Sequence, residues 1–504
     1  MNARRVLILI ALLLAHVARA PAQDAGGPAA ATQADERLAR ILRAVQAKLD
    51  EARAASKFPG ATAAFVLPDG RFASASTGFA DIAASKPLAP ADRMPAGSVG
   101  KTLVAAVTLL LVQEGKLKLD DKLETLLGGE KWFARLPNAK DLTLRVLLNH
   151  SSGIPNHVDD GGFLKALFKN SSRDIRHEEL LAYVLDMKPL FPAGKGYNYG
   201  DTNYIIAGLA VEKATGRTLY EEISERILKP LKLDKTIPSN SLTLPGVANG
   251  YLKDKPVIVG GRFTINPQWE WAGGGFASTA EDLARWAHAL YGGEVLRPEM
   301  FQEMVNSTTA GEGKSYGLGV EIVESKWGKA FGHDGEFPGY LSDMRYYARY
   351  KIAVAVQVNA DENEGAERFV QTATDDLAQI VIREWTGRRV PDADAARLLR
   401  LTEDWLRLID ARRLAESRES ISSELKAKYD ARQWQAAMTQ FLSQAGRLKS
   451  RRLRGVDYSD PDAGTVALDF DSSFEKIPSA VEIVILKPEA GGAWRVASYS
   501  IHTK

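Results

Sequence analysis

Residues 95–110 read PAGSVGKTLVAAVTLL, and three kinds of chemistry share that one stretch. Gly100, Lys101 and Thr102 finish a near match to the phosphate-cradling loop G-x-x-x-x-G-K-[ST]. Ala96, Ser98 and Gly100 stand one substitution from the G-x-S-x-G turn that raises a nucleophilic serine above a sheet. Ser98 and Lys101 also form Ser-x-x-Lys at the start of an apolar helix, a spacing that lays a hydroxyl and an amine on one helical face. The first two readings need a buried strand running into the glycine turn, and KPLAPADRMPAG, broken by Pro87, Pro90 and Pro95, is not one. Pro95 also occupies the place of the loop's first glycine and offers no N–H. Ser-x-x-Lys survives, although the spacing recurs at Ser423/Lys426 and Ser473/Lys476, and a lone serine at a helix start is ordinarily a cap.

A serine hydroxyl is a poor nucleophile near neutrality and needs a base beside it. The companions of Ser98 are therefore decisive. Tyr199-Gly200-Asp201 follows a Pro/Gly loop in FPAGKGYNYGDTNYIIAGLAVEKATG, and His333-Asp334-Gly335 ends a strand pattern in AFGHDGEFPGYLS. An amine (Lys101) and a phenol (Tyr199) are among the groups these segments offer. An amine serves as a base only if its surroundings lower its proton affinity, and a phenol only if cations stabilise the phenolate. The seven histidines show no H-E-x-x-H or other ligand spacing, so neither a metal nor a cofactor is expected.

The elements that must carry these residues follow from periodicity. At 504 residues, 45% hydrophobic and 25% charged, the chain has the composition of two globular units, and a net charge of +2 gives no sign of a nucleic-acid partner. Arg4 and Arg5, the apolar run VLILIALLLA and the small residues Ala18, Ala20 and Ala22 predict a signal peptide over residues 1–22, hence an exported, periplasmic or secreted protein. After cleavage no integral membrane segment is expected, since His16 and Arg19 interrupt the run well short of the ~20 residues a span requires. Absence of cysteine removes disulfides and a thiol nucleophile. Residues 23–34 read as a flexible leader, and Leu38, Ile41, Leu42, Val45 and Leu49 as one helix face. ATAAFVL and RFASAST around Pro68-Asp69-Gly70 predict a hairpin. Strands return late, from Tyr316, Lys329, Tyr340 and Ile352, so early and late strands around a helical middle predict one antiparallel sheet covered by helices. A linker is expected over residues 387–398, between a domain of residues 35–386 and a small α+β unit of residues 399–504.

With these pieces in order, the chain resembles the serine β-lactamase and penicillin-binding protein superfamily, in particular its class C-like esterase and D-aminopeptidase branch. That branch carries Ser-x-x-Lys, Tyr-x-Asn and a Lys-Thr-Gly or His-x-Gly box in this order. LLNHSSGIP from Leu147 and GGGFASTAEDLARW from Gly273 look like two further landmarks. The resemblance implies an α/β (α+β) fold with a helical lobe, an acyl-enzyme mechanism with Ser98 as nucleophile, and Lys101 and Tyr199 sharing the proton work. It further implies an oxyanion hole from the N–H groups of Ser98 and Glu336, with Gly335 permitting close approach to the strand. His150 reads as a residue tying down a loop.

Two positions depart from the pattern. Asp201 stands where the family usually has Asn; an ionised carboxylate there would hold Lys101 protonated, repel a substrate carboxylate and shift the base role toward Tyr199. His333 replaces a lysine and weakens the fixed charge that would clamp such a carboxylate. Both favour esters, amides or D-amino-acid peptides, cell-wall-derived peptides included. β-Lactamase or D,D-carboxypeptidase activity, and a non-catalytic cell-wall-peptide binder using the same groove, are the alternatives. The C-terminal unit resembles a family of small uncharacterised domains of exported proteins through Trp405, Ile409-Asp410, the LKSR run from Leu448, and Trp494-Arg495-Val496.

Overall fold

Side-chain size alternates along the strands, and that alternation builds two cores on opposite faces of one sheet. In a computed structural model of the chain, residues 28–169, 173–306, 308–310, 314–387, 390–460 and 463–503 are described; the expected signal peptide lies outside them. The first domain contains α1 (Pro28–Ser56), β1 (Gly60–Val66), β2 (Phe72–Asp81), α2 (Gly100–Gln113), α3 (Asp201–Thr215), α4 (Ala280–Tyr291), β3 (Glu321–Ser325), β4 (Gly328–Phe337), β5 (Tyr340–Tyr347), β6 (Ile352–Val358) and α5 (Glu364–Thr386). The second contains α6 (Asp392–Asp410), α7 (Ala431–Ala445), β7 (Leu448–Asp460), β8 (Thr465–Phe474), β9 (Ala480–Pro488) and β10 (Trp494–Thr503).

The order β3-β4-β5-β6-β1-β2 forms the middle of a nine-stranded antiparallel sheet. Early and late strands join where Ala61 faces Val358 and Val66 faces Ala353. Phe65, Val354, Val356 and Val358 turn to the α1/α5 side, whereas Ala64, Ala353 and Ala355 turn to the side of α2, α4 and the helical lobe. Small residues on that second face let α4 pack closely on β1 and β6. No helix among the described residues is long and apolar enough to cross a membrane.

Two expected boundaries shift. Helix α1 already starts at Pro28, inside the stretch read as a leader: PAAATQA is rich in good helix formers, and proline is tolerated in a first turn. The linker expected over residues 387–398 is shorter, because 392–398 are the first turns of α6. Their acidic residues Asp392 and Asp394 suit a helix N-terminus, and Leu398, Thr402, Trp405 and Ile409 bury one helical stripe.

The C-terminal sheet runs β7-β8-β9-β10. Its first strand is the basic LKSRRLRG segment, whose three arginines all meet carboxylates: Arg451 meets Asp410 at 2.7 Å and also Glu482, Arg452 meets Asp471 at 2.7 Å, and Arg454 pairs with Asp376 of the first domain. The two domains are joined by buried polar contacts. Lys326 Nζ lies 3.0 Å from Asp469 Oδ1, 3.0 Å from Gln379 Oε1 and 3.8 Å from Asp457 Oδ2. Arg383 also pairs with Asp457, and Tyr350 Oη donates to Ser459 O at 3.0 Å. Removing one side of a buried ion pair strands the other, at a cost of about 3–5 kcal/mol. Lys326→Ala is therefore expected to lower unfolding free energy in urea by that order, and a loss below about 1 kcal/mol would contradict the buried clamp.

Candidate active site

Ser98 sits in a single 3-10 turn, Gly97–Val99, that runs directly into α2. Glycines make the turn possible. Gly97 has φ 54°, and a Cβ on it would lie 2.5 Å from Glu336 N; a Cβ on Gly100 would lie 2.7 Å from Gly274 O. Gly100, which imitates a nucleotide loop, and Gly97 are thus both needed where backbone segments cross. Ala96 is tied down by its N–H to Phe276 O at 2.8 Å and by Ser342 Oγ, which donates to its carbonyl at 2.7 Å.

One helical turn on, the amine of Lys101 is wholly buried. Its Nζ donates to Ser98 Oγ at 2.8 Å and to Gly273 O at 2.5 Å, and pairs with Asp201 Oδ1 at 2.5 Å. It also lies 4.9 Å from the ring centroid of Tyr199 and 5.6 Å from that of Tyr204, faces that favour a cation.

Tyr199 and Asp201 arrive together at the N-terminus of α3. His150, itself at φ 59°, holds that entry: its carbonyl accepts from Asn198 N at 2.9 Å, its Nδ1 accepts from Gly200 N at 3.3 Å, and its ring lies 4.3 Å from that of Tyr199. Asn156 Oδ1 accepts from Asp201 N at 3.0 Å. Burial drives the His150 pKa well below the ordinary histidine value, with Lys101 and His333 adding to the effect, so its ring is neutral. The Tyr199 hydroxyl is buried and makes no well-aligned hydrogen bond among the described residues. Burial, then the Asp201 charge, push its pKa well above 10, and the nearby Ser98 hydroxyl only partly opposes them.

The third box lies on β4. His333 is buried, accepts at Nε2 from Tyr316 Oη at 2.8 Å and donates from Nδ1 to Asp334 O at 2.6 Å. Burial lowers its pKa despite the carboxylates of Glu321 and Asp334. Its ring is 6.1 Å from that of Tyr199, one layer behind the serine. Glu321, His333 and Asp334 are the only group among the described residues with metal-ligand proximity, and both ring nitrogens of the histidine are already engaged. Gly335 approaches the chain's own backbone: a Cβ there would lie 2.1 Å from Ala96 O. Pairing of β4 with β3 stops at Gly332, which leaves the backbone of residues 333–337 without a strand on that side.

Ser98, Lys101, Tyr199 and Asp201 are thus brought into one cluster, with Gly335 and Glu336 against the serine turn and His333 behind them. Residue spacing did not reveal Glu270, Tyr316 or Asn156. Glu270 is buried, its Oε2 has no hydrogen-bond partner among the described residues, and burial followed by the Asp201 charge raises its pKa well above the carboxylate range. Its only signal in the sequence is a charge between two tryptophans, in WEW before the GGGF landmark.

The fold and site define the class, a serine-hydrolase scaffold in which the Ser-x-x-Lys turn packs against an antiparallel sheet and runs into a buried helix. Residues 38–379 match the beta-lactamase family, and the chain belongs to that family. Residues 401–499 match a protein family of unknown function, DUF4019. Penicillin-binding protein 4* of Bacillus subtilis is 23% identical over 319 residues, covering 60% of this chain and 68% of that protein. A D-aminopeptidase of Brucella anthropi is 27% identical over 318 residues, which are 60% of this chain and only 56% of that enzyme. The crystal structure of a D-stereospecific amidohydrolase from Streptomyces sp. superposes with a TM-score of 0.57 at 28% identity, covering 67% of this chain and 98% of that one.

Because Gly335 touches backbone, a methyl group cannot be absorbed there by a side-chain shift. Gly335→Ala is expected to slow modification of Ser98 by a phosphonate roughly 100-fold, as a displacement of about 1 Å in a reacting group does. Labelling at the wild-type rate would show that the serine turn does not depend on this contact.

Proposed function

We propose that the protein is an exported serine hydrolase that works through an acyl-enzyme on ester, amide or D-amino-acid peptide substrates. The observation that carries this reading is the 2.8 Å hydrogen bond from Lys101 Nζ to Ser98 Oγ, made inside a site where Lys101 is sealed from water. Ser98 Oγ attacks the substrate carbonyl carbon, and the N–H groups of Ser98 and Glu336 receive the oxyanion. Tyr199, kept a neutral phenol by burial and by Asp201, is suited to donate a proton to the leaving group. The resulting phenolate, stabilised by the Lys101 cation 4.9 Å from its ring, can then draw a proton from the water that releases the acyl group.

Electrostatics support the substrate class. A carboxylate entering the groove would meet Asp201, and neutral His333 offers it no cation. Substrates without such a carboxylate avoid both penalties, in keeping with the D-aminopeptidase and amidohydrolase names of the relatives. The end of β4 beyond Gly332, where pairing with β3 stops, suits an extended peptide that adds as a strand beside the serine turn. The completeness of the Lys101 hydrogen bonding keeps one second reading alive, a binder that uses the groove without turnover. A fluorescent fluorophosphonate followed by peptide mapping separates them. We expect modification at Ser98 that Ser98→Ala abolishes; an unlabelled wild type would favour the binder, and a label on another residue would refute the assignment.

A further inference from the structure

Lys101 carries three N–H bonds as an ammonium and faces three acceptors: Ser98 Oγ at 2.8 Å, Asp201 Oδ1 at 2.5 Å and Gly273 O at 2.5 Å. In that arrangement it has no lone pair with which to receive the serine proton. Tyr199 does not fill the gap, since its hydroxyl is itself buried and protonated. The resting site thus holds a nucleophile but no free base. Of the three acceptors, the amide carbonyl of Gly273 is too weakly basic to hold a proton, and Ser98 is the group that must lose one. Asp201 alone can take one.

Resting on the serine-hydrolase reading, we propose that Asp201 is a catalytic proton acceptor that completes a Ser98–Lys101–Asp201 relay. One proton passes from Lys101 Nζ to Asp201 Oδ1, converting the ion pair into a neutral amine and a neutral carboxylic acid. The freed lone pair on Nζ accepts the Ser98 hydroxyl proton as Oγ forms its bond to the substrate carbonyl carbon, and the carbonyl π electrons move to oxygen. When the acyl group is released, Lys101 returns a proton to Ser98 Oγ, Asp201 returns its own to Lys101, and no proton is gained or lost over the cycle. Sealing from water makes the exchange feasible, because an ion pair loses much of its advantage over the neutral pair when desolvated. Lys101 is fully buried, and the Asp201 side chain is 15% exposed.

The groups facing the pair are Tyr199, Tyr204, His150, His157, His333 and Glu270. Burial pushes the three histidines down, His157 to about 4, and the phenols up, so these five keep one charge state through neutrality. Glu270 is set apart from these five, since burial and then the Asp201 charge raise its carboxyl pKa well above the carboxylate range.

The test is the second-order rate of Ser98 labelling by a fluorophosphonate from about pH 5.5 to 9.5, which needs no identified substrate. In the wild type the relay passes its proton within the site and sheds none to solvent before attack, so the rate should show no acid limb between about pH 6 and 9. In D201N the amine must shed its proton to solvent. The rate should then fall about tenfold per pH unit below that ionisation. Both patterns should persist when E270Q removes the Glu270 ionisation. A D201N profile parallel to the wild type or faster at every pH would overturn the relay. So would a tenfold-per-unit acid limb in the wild type that E270Q leaves in place, which decides the matter even if D201N fails to fold. A wild type unlabelled at every pH would instead remove the hydrolase reading itself.

Discussion

A buried ammonium must be surrounded by acceptors, and the site is arranged around that demand. Lys101 cannot leave its pocket because it opens a helix whose residues 100–109 are all buried, so its partners are brought to it. Asp201 comes from the start of α3, Gly273 from the segment before α4, and Ser98 from the turn below. Loss of Asp201 as an anion would leave the amine with only neutral acceptors, and loss of Lys101 would leave Asp201 facing Glu270 and the Tyr199 ring. The triad of contacts therefore holds three distant chain segments in register while it positions the reacting hydroxyl.

Close backbone crossings make that convergence possible. Gly97 lies against Glu336, Gly100 against Gly274, and Gly335 against Ala96. At each crossing a side chain would force apart segments that the chemistry needs together. The same sheet is held from behind by α1 and α5, and α5 also carries Asp376, Gln379 and Arg383 to the C-terminal domain. The hairpin between β3 and β4, which contributes Lys326 to that contact, continues along β4 to His333 and Gly335. The accessory domain is thus docked on the element that also shapes the site.

Much of this was legible in the sequence, for identifiable reasons. Ser98, Lys101, Tyr199, Asp201 and His333 sit in short segments whose order matches the family the chain resembles, and the turn Pro68-Asp69-Gly70 after ATAAFVL and the apolar run IAVAVQV mark the central strands. Glu270 and Tyr316 were not legible because each acts through a contact made only in three dimensions. The direction of proton transfer was obscured for a different reason: a charge at Asp201 suggests a shift of the base role to Tyr199, but burial of the phenol and the same charge both disfavour phenolate. At residues 392–398, charge and polarity suggested linker. Asp392 and Asp394 instead suit the start of a helix.

The central claim is that a single cluster holds Ser98 Oγ between the amine that activates it and the backbone N–H groups that receive the developing oxyanion. A crystal structure of the phosphonate adduct tests it most directly. The expected adduct has a P–O bond at Ser98 Oγ, a phosphonyl oxygen within hydrogen-bonding distance of the N–H groups of both Ser98 and Glu336, and Lys101 still bridging Oγ and Asp201. An adduct whose phosphonyl oxygen points away from Glu336, or in which Lys101 has withdrawn from the serine, would contradict it.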